Sequence, residues 1–156
     1  MRNFIFLIPM LMMMTNNAKA QNMQDSQAIE QAIKIFFKGF HEKDTVVINS
    51  VLFKQVNIQT IKSTSNGTNV FIENESIESF LNSIISIPET INFNEVINDY
   101  HIKSDGLLAT AWTPYNFFVN HNLSHCGTNN FQLIKDNGNW KIISIIDTRK
   151  KENCEN

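Results

Sequence analysis

The chain has 156 residues, a length that fits one domain. Hydrophobic residues make up 42% of the sequence and charged residues 18%, the balance of a globular protein, which excludes an intrinsically disordered chain. The formal net charge of −2 argues against nucleic acid as a partner, because a protein that binds the phosphate backbone needs a basic face.

The first 20 residues have the layout of a secretory signal peptide. A short positive start, Met1-Arg2, precedes an apolar run over residues 4–14, and Ala18-Lys19-Ala20 is a small-x-small cleavage site. The apolar run is too short to anchor the chain across a bilayer. We therefore predict cleavage after Ala20 and a periplasmic or secreted protein without membrane contact once the signal is removed. The alternative is a buried N-terminal helix.

Behind this signal, residues 21–150 are predicted to form the folded domain and residues 151–156 a polar C-terminal tail. Residues 25–41 form the first of three predicted helices, with Asp25 or Ser26 as its N-cap. Its apolar residues recur at helical spacing and define one buried face: Ile29, Ile33, Phe36, Phe37 and Phe40. A shorter helix begins at Asp44, and a third follows the cap residue Ser76.

The predicted strands fall into a short pair and a meander of four. Residues 56–61 alternate apolar and polar side chains, and residues 70–72 form the second short strand. Asp105-Gly106 and Asn137-Gly138 indicate tight hairpins, because both central residues of such a turn need positive φ. The meander consists of four segments: residues 93–103, 107–119, 123–135 and 140–149.

Five segments, taken with this order of elements, carry a resemblance to a known superfamily. They are residues 28–44, 108–112 (LATAW), 124–127 (SHCG), 131–134 (FQLI) and 136–143 (DNGNWKII). The chain resembles the nuclear transport factor 2-like superfamily, which includes ketosteroid isomerases, SnoaL-like polyketide cyclases and many exported bacterial proteins of unknown role. The resemblance implies an α+β fold in which a curved mixed or antiparallel sheet forms a cone around the three helices. It implies a pocket at one end but no particular activity, because this fold hosts unrelated functions.

The tight turns predict which side chains share a face of the sheet. If Asn120-His121 and Asp105-Gly106 are the central turn residues, Glu95, Asn116 and His125 form one cross-strand row. We assign this face to the side covered by the helices, where polar groups at the mouth of an apolar cavity are typical of a small-molecule site. The predicted ligand-binding residues are Phe37, Phe40, Trp112, Tyr115, Asn116, His125 and Asn129.

Pro114 leaves part of this register open, because proline cannot donate to the ladder and often marks a bulge. A bulge there would bring Tyr115 inside in place of Asn116. The same registers place Ile145 and Asp147 on the outer face. Apolar residues on that face indicate a homodimer contact as a further expectation.

Three functions are compatible with this arrangement. The first is a periplasmic protein of unknown role that binds a small, mainly apolar or amphipathic ligand in the cone. The second is an isomerase, dehydratase or cyclase that uses general acid–base catalysis, with Glu95 or Asp99 as base and His125 as its partner. The third is an interaction module that pairs with a second copy and binds no ligand. No motif of the superfamily's isomerases is present to carry a catalytic base over to this chain.

The two cysteines of this exported chain, Cys126 and Cys154, invite a disulfide, with two free thiols as the alternative. His125 and Cys126 are neighbours on a strand and point to opposite faces, so they do not form a catalytic dyad. The spacing of His121, His125 and Cys126 matches no zinc pattern. We therefore predict no metal, and no cofactor-binding motif is found in the sequence.

Overall fold

The computed structural model describes residues 8–64 and 69–154, with side chains described for residues 20–64 and 69–154. Residues 1–7 of the predicted signal peptide and residues 155–156 of the predicted tail lie outside the described residues. In the part of the chain that is described, no helix has the length and apolar character needed to cross a membrane.

The three helices are α1 (Ile8–Glu42), α2 (Thr45–Val51) and α3 (Ile77–Ile85). Since no glycine or proline separates Met10 from Asp25, α1 continues through the predicted start, and the predicted N-cap at Asp25 or Ser26 is wrong. Asp25 instead accepts hydrogen bonds from Lys135 Nζ at 2.7 Å and from Trp140 Nε1 at 3.4 Å. These bonds fasten α1 to the last hairpin of the sheet.

Three residues fix the corner between α1 and α2. A Cβ atom added at Gly39 would lie 2.8 Å from the backbone nitrogen of Ile48, so glycine permits the close approach of α2. Lys43 ends α1 with a left-handed φ of 56°. The second helix was predicted to begin at Asp44; it begins at Thr45, and Asp44 caps it by accepting from the amides of Val46 and Val47. Ser76 caps α3 in the same way.

Seven strands form one curved, mixed sheet that does not close into a barrel. They are β1 (Leu52–Ser63), β2 (Val70–Glu75), β3 (Phe93–Ile97), β4 (His101–Ser104), β5 (Leu108–Val119), β6 (Asn122–Asp136) and β7 (Asn139–Lys150). The order is β2-β1-β7-β6-β5-β3, and β4 also pairs with β5. Only β1 and β7 pair in parallel among the described strands. The predicted α+β architecture is confirmed.

One predicted strand, residues 93–103, is interrupted between Ile97 and His101. At the break, the amide of Asn98 donates to the carbonyl oxygen of Pro114 on β5 at 2.8 Å. Pro114 has no N–H to donate in return, so the ladder loses a bond at this point. The break changes the register between β3 and β4 relative to a continuous strand.

The hairpin of β5 and β6 contains a β-bulge that the sequence alternation does not show. Phe118 pairs with Leu123, as the turn predicts, but Phe117 then pairs with His125, so Ser124 is an extra residue on β6. Beyond the bulge the pairing is shifted by one residue, and the opposite set of β5 side chains faces the helices.

This shift corrects the predicted faces of β5. Trp112 and Asn116 lie on the outer face, so their predicted inward placement is wrong, and Tyr115 lies inside. The bulge that would exchange Tyr115 for Asn116 does not lie at Pro114, which pairs regularly with Thr128. The irregularity is three residues further along β5.

A second bulge changes the faces of β7. Leu133 pairs with Ile142 as predicted, but Gln132 then pairs with Ser144, so the residue between Ile142 and Ser144 is extra. The side chains beyond it change face. Ile145 and Asp147 therefore face the helices, and their predicted place on the outer face is wrong.

The core lies between the apolar face of α1 and the concave face of the sheet. Four buried residues of the predicted α1 face, Ile29, Ile33, Phe36 and Phe37, pack against the strands, with Phe131 of β6 in edge contact with both phenylalanines. This core fills one end of the cone and leaves the other end open.

Candidate ligand-binding site

A cavity of about 270 Å³ lies at the open end of the cone, between α1, α3 and the concave face of the sheet. Its apolar wall includes six aromatic rings: Phe36, Phe37, Phe40, Phe80, Phe117 and Phe131. Phe36, Phe40 and Phe80 stack within 10° of parallel. The volume is close to the lower limit of about 300 Å³ for small-molecule sites.

A carboxyl group and an amide mark one polar part of the cavity wall. Asn129 Nδ2 donates to Glu95 Oε1 at 2.7 Å. The backbone amide of Glu95 donates to His41 Nε2 at 2.9 Å, so the last turn of α1 holds β3 in place. Burial, reinforced by the negative charge of Asp147, raises the pKa of Glu95 to about 7. This carboxyl group therefore changes its protonation state near neutral pH.

Asp147 is the buried centre of a second polar network. Its Oδ1 accepts from Thr60 Oγ1 at 2.6 Å, and its Oδ2 accepts from Arg149 Nε at 2.8 Å. Arg149 Nη2 also donates to Thr60 Oγ1 at 3.3 Å. The carboxylate is thus paired with a charge and hydrogen-bonded on both oxygens, as a buried carboxylate requires.

Tyr115 crosses β6 to reach this network. It pairs with Gly127, where an added Cβ would overlap the carbonyl oxygen of Thr148 and lie 3.0 Å from the Tyr115 ring. Because glycine leaves this space empty, the Tyr115 hydroxyl lies 3.1 Å from that carbonyl oxygen and 3.5 Å from Asp147 Oδ2. Burial and the carboxylates of Glu95 and Asp147 raise the pKa of Tyr115, so the hydroxyl remains a hydrogen-bond donor.

His125 lies at the polar rim of the cavity. Its ring stacks on Phe117 at a centroid distance of 4.7 Å and meets the Tyr115 ring edge-on at 5.9 Å. Burial lowers the pKa of His125, and the positive charges of Arg149 and Lys151 lower it further. The imidazole is therefore neutral at pH 7 and carries one N–H donor.

The structure brings six of the predicted site residues together around the cavity: Phe37, Phe40, Glu95, Tyr115, His125 and Asn129. Glu95 and His125 do share a cross-strand row, but Phe117 lies between them where Asn116 was predicted. Trp112 does not line the cavity and is half exposed on the outer face. Asp99 does not line it either, because it lies in the exposed break between β3 and β4, with its Oδ2 3.3 Å from His101 Nε2.

The sequence prediction missed three charged residues of the site, Glu75, Asp147 and Arg149. It also missed Phe36 and Phe131 as cavity residues, because it treated them as core alone. One signal was present: Asp147 interrupts an apolar strand directly after Ile145 and Ile146, and a charge in such a strand needs a partner.

The structure contains the bond between Cys126 and Cys154, one of the two alternatives that the sequence leaves open. The two Cα atoms are 5.6 Å apart, which is a usual separation for a disulfide. The bond draws the first residues of the tail back onto the sheet. Within the described residues, no group of three or more His, Cys, Asp or Glu side chains is arranged to hold a metal ion.

The helices, the curved sheet and the cavity at its open end define the fold of the nuclear transport factor 2-like proteins. One similar structure is a nuclear transport factor 2-like protein of unknown function from Shewanella baltica. Its TM-score is 0.60 at 18% identity, over 83% of this chain and 97% of that chain. A nuclear transport factor 2-like protein from Cytophaga hutchinsonii has a TM-score of 0.62 at 17% identity, over 80% of this chain and 97% of that one.

A third similar structure, from Novosphingobium aromaticivorans, is provisionally named a scytalone dehydratase. Its TM-score is 0.64 at 10% identity, over 85% of this chain and 89% of that chain. Comparison of the sequence with protein-family models and with curated proteins finds no match. At these identities the likeness shows the fold and leaves function to the site itself.

Proposed function

We propose that this protein binds one small, mainly apolar ring compound in the cavity at the open end of the cone. One observation carries the proposal: the cone contains an unfilled space, and its wall is formed by aromatic rings and by hydrogen-bonded polar groups. A core without a ligand role would fill such a space with side chains, because protein interiors are close-packed.

The two parts of the wall have different roles. The aromatic rings bury the ligand, and each favourable ring–ring contact is worth about 0.5–1.5 kcal/mol beyond the area it buries. The hydrogen-bonded pair of Glu95 and Asn129 and the neutral imidazole of His125 orient a polar group of the ligand. This division of labour is the usual anatomy of a small-molecule site.

Fluorescence titration with the apolar probe N-phenyl-1-naphthylamine tests the proposal. We expect saturable binding with one probe per chain. Ser83 is exposed on α3 and lines the cavity, so Ser83→Trp fills the space without changing the core and should abolish binding. Asn82 is exposed on the same helix and does not line the cavity, which makes Asn82→Trp the matched control. Equal binding by the two variants would contradict the proposal.

A second candidate function is general acid–base catalysis of an isomerase, dehydratase or cyclase type. The observation that favours it is Glu95, a partly buried carboxyl group in the cavity whose pKa is raised to about 7. A pKa near the working pH suits a catalytic base. The likeness to a protein provisionally named a dehydratase is consistent with this function but carries no residue role.

Glu95→Gln separates the catalytic function from simple binding. If Glu95 is a base, turnover of a substrate found by screening should rise as the pH passes about 7 and should be lost in the variant. Affinity for the apolar probe should remain within a few-fold of the wild type, since glutamine keeps the shape of the side chain. Turnover that survives the substitution would exclude Glu95 as the base.

We also propose that the protein works in the periplasm or outside the cell. The bond between Cys126 and Cys154 supports this location, because disulfides persist in oxidising compartments. Cell fractionation with N-terminal sequencing should find a chain that begins at Gln21 outside the cytoplasm. A cytoplasmic chain that still begins at Met1 would contradict the proposal.

A further inference from the structure

A second cleft, of about 610 Å³, lies next to the aromatic cavity and shares two wall residues with it, His125 and Arg149. The cleft is formed by the end of β1 and by the end of β7 with the first residues of the tail. Because His125 and Arg149 line both spaces, the aromatic cavity and the cleft adjoin at these two side chains.

The cleft is strongly basic. Its charged residues are Lys62, Arg149, Lys150, Lys151 and Glu152. Four cations against one carboxylate is a local excess of positive charge in a chain whose formal net charge is −2. Such a concentration of one sign in a concave space attracts the opposite charge.

Neutralisation by neighbouring acids is incomplete. Lys62 pairs with Glu73, and Arg149 pairs with Asp147. None of the ion pairs formed within residues 20–64 and 69–154 includes Lys150 or Lys151. Lys150 and Lys151 therefore line the cleft without a carboxylate partner among these ion pairs.

The basic groups are held in place at the junction of the two spaces. Asp147 and Thr60 engage Nε and Nη2 of Arg149 and so fix the plane of its guanidinium group. The disulfide between Cys126 and Cys154 ties down the tail that carries Lys151. Groups that are ordered before binding lose less conformational entropy when an anion arrives.

We propose that the basic cleft is the head-group site for the ligand of the aromatic cavity, and that the ligand is an aromatic molecule with an acidic group of carboxylate or sulfonate type. The ring occupies the cavity, and the acidic group passes His125 to reach Arg149, Lys150 and Lys151. Lysine and arginine give charge-assisted hydrogen bonds to such oxygens. The inference rests on the proposed binding function of the cavity and adds the charge of the ligand.

Two fluorescent probes that differ by one anionic group test the inference. N-phenyl-1-naphthylamine is neutral, and 8-anilinonaphthalene-1-sulfonate carries a sulfonate on the same ring system. We expect the wild-type protein to bind the sulfonate at least tenfold more tightly in low salt. This preference should fall as salt screens the cleft.

Lys150→Gln with Lys151→Gln should remove the preference for the sulfonate and leave the affinity for the neutral probe within a few-fold. Lys54→Gln with Lys103→Gln changes the net charge equally at exposed lysines outside the cleft and should keep the preference. Near-ultraviolet circular dichroism of both double variants confirms native packing.

The outcomes separate the two proposals. Equal wild-type affinity for the two probes, or a preference that survives the substitutions at Lys150 and Lys151, would overturn the head-group site while binding of the neutral probe still supported the cavity. Failure of both probes to bind would overturn the cavity proposal and the inference with it.

Discussion

Glu95 contributes a pH-dependent penalty to folding, because its pKa is about 7 in the folded protein and 4.5 as a free side chain. Below pH 4.5 the group is protonated in both states and costs nothing. As the pH rises toward 7, only the unfolded state loses the proton, so folding stability falls, and above the folded pKa the loss is complete.

The substitution Glu95→Gln removes this titration. We expect the free energy of unfolding of the variant, relative to the wild type, to rise by up to about 3 kcal/mol between pH 4 and pH 9. Urea unfolding of both proteins at several pH values measures the difference. Parallel profiles would show that Glu95 keeps its ordinary pKa and would weaken the case for a catalytic base.

Gly127 permits the polar network, because no other residue leaves space for the carbonyl oxygen of Thr148 and for the Tyr115 ring. Gly127→Ala should lower the free energy of unfolding by about 3 kcal/mol, since backbone has to move. Gly138→Ala is the matched control: nothing lies within 4 Å of the added Cβ, and only the positive φ of 80° is strained. That variant should lose about 1 kcal/mol. Equal losses in chemical denaturation would contradict the steric role of Gly127.

At the scale of elements, the disulfide joins β6 to the tail after β7 and closes a loop with a sequence separation of 28. In the chain-entropy description, closing a loop of this size destabilises the unfolded state by about 3–4 kcal/mol. Cys126→Ser with Cys154→Ser should lower the free energy of unfolding of the oxidised protein by this order. The wild type in reductant should match the double variant. Equal stability of oxidised and reduced wild type would contradict a stabilising role of the bond.

The tail should become mobile in the same double variant. Lys151 is then no longer fixed beside Arg149, and the preference for the sulfonate probe should fall while the neutral probe still binds. The affinities for both probes are measured on the same protein sample. A loss of affinity for both would therefore indicate that the cavity is misfolded.

The sequence predicts most of the elements because their signals are local. Helical spacing identifies the buried face of α1, and Phe37 and Phe40 are correctly placed because a helix has no register to slip. Ser76 is identified as a cap by residue type and position, and the start of α2 is predicted to within one residue. Gly106 and Gly138 locate the hairpins, and both residues have positive φ. The predicted two-residue turn is confirmed at Asn137-Gly138, where Asp136 pairs with Asn139, but it is wrong at Asp105-Gly106, where Ser104 pairs with Ala109 and not with Leu107.

The inward set of side chains is harder to predict, because one extra residue reverses a strand. The bulge at Ser124 moves Tyr115 inside and Trp112 outside, and neither residue type marks the change. The extra residue at Ile143 does the same for Asp147. Long-range packing decides these positions, so the turn-based registers of β5 with β6 and of β6 with β7 are correct only as far as the first bulge.

At the scale of the whole molecule, the homodimer stays a prediction. The outer face of the sheet exposes Trp112 at 50% and Val96 at 41%, and exposed apolar side chains on one face are typical of a contact. Analytical ultracentrifugation should show a dimer that Trp112→Glu converts to a monomer. Val46→Glu, at a 77% exposed position on α2, is the control and should leave the dimer intact. A wild type that is monomeric at all concentrations would exclude this contact.

The aromatic rings line the cavity beside the helices, and the cations line the cleft beside the tail. A ligand with an apolar end and an anionic end would therefore bind in one orientation. If the protein is an enzyme, this orientation would place a reacting group beside Glu95. Both functions therefore depend on one claim, that small molecules enter the aromatic cavity.

Intermolecular nuclear Overhauser effects between N-phenyl-1-naphthylamine and the isotopically labelled protein test this claim most directly. We expect cross-peaks from the probe to the ring protons of Phe117 and His125, which line the cavity. Cross-peaks to the indole of Trp112 on the outer face, with none to Phe117 or His125 at saturating probe, would contradict it.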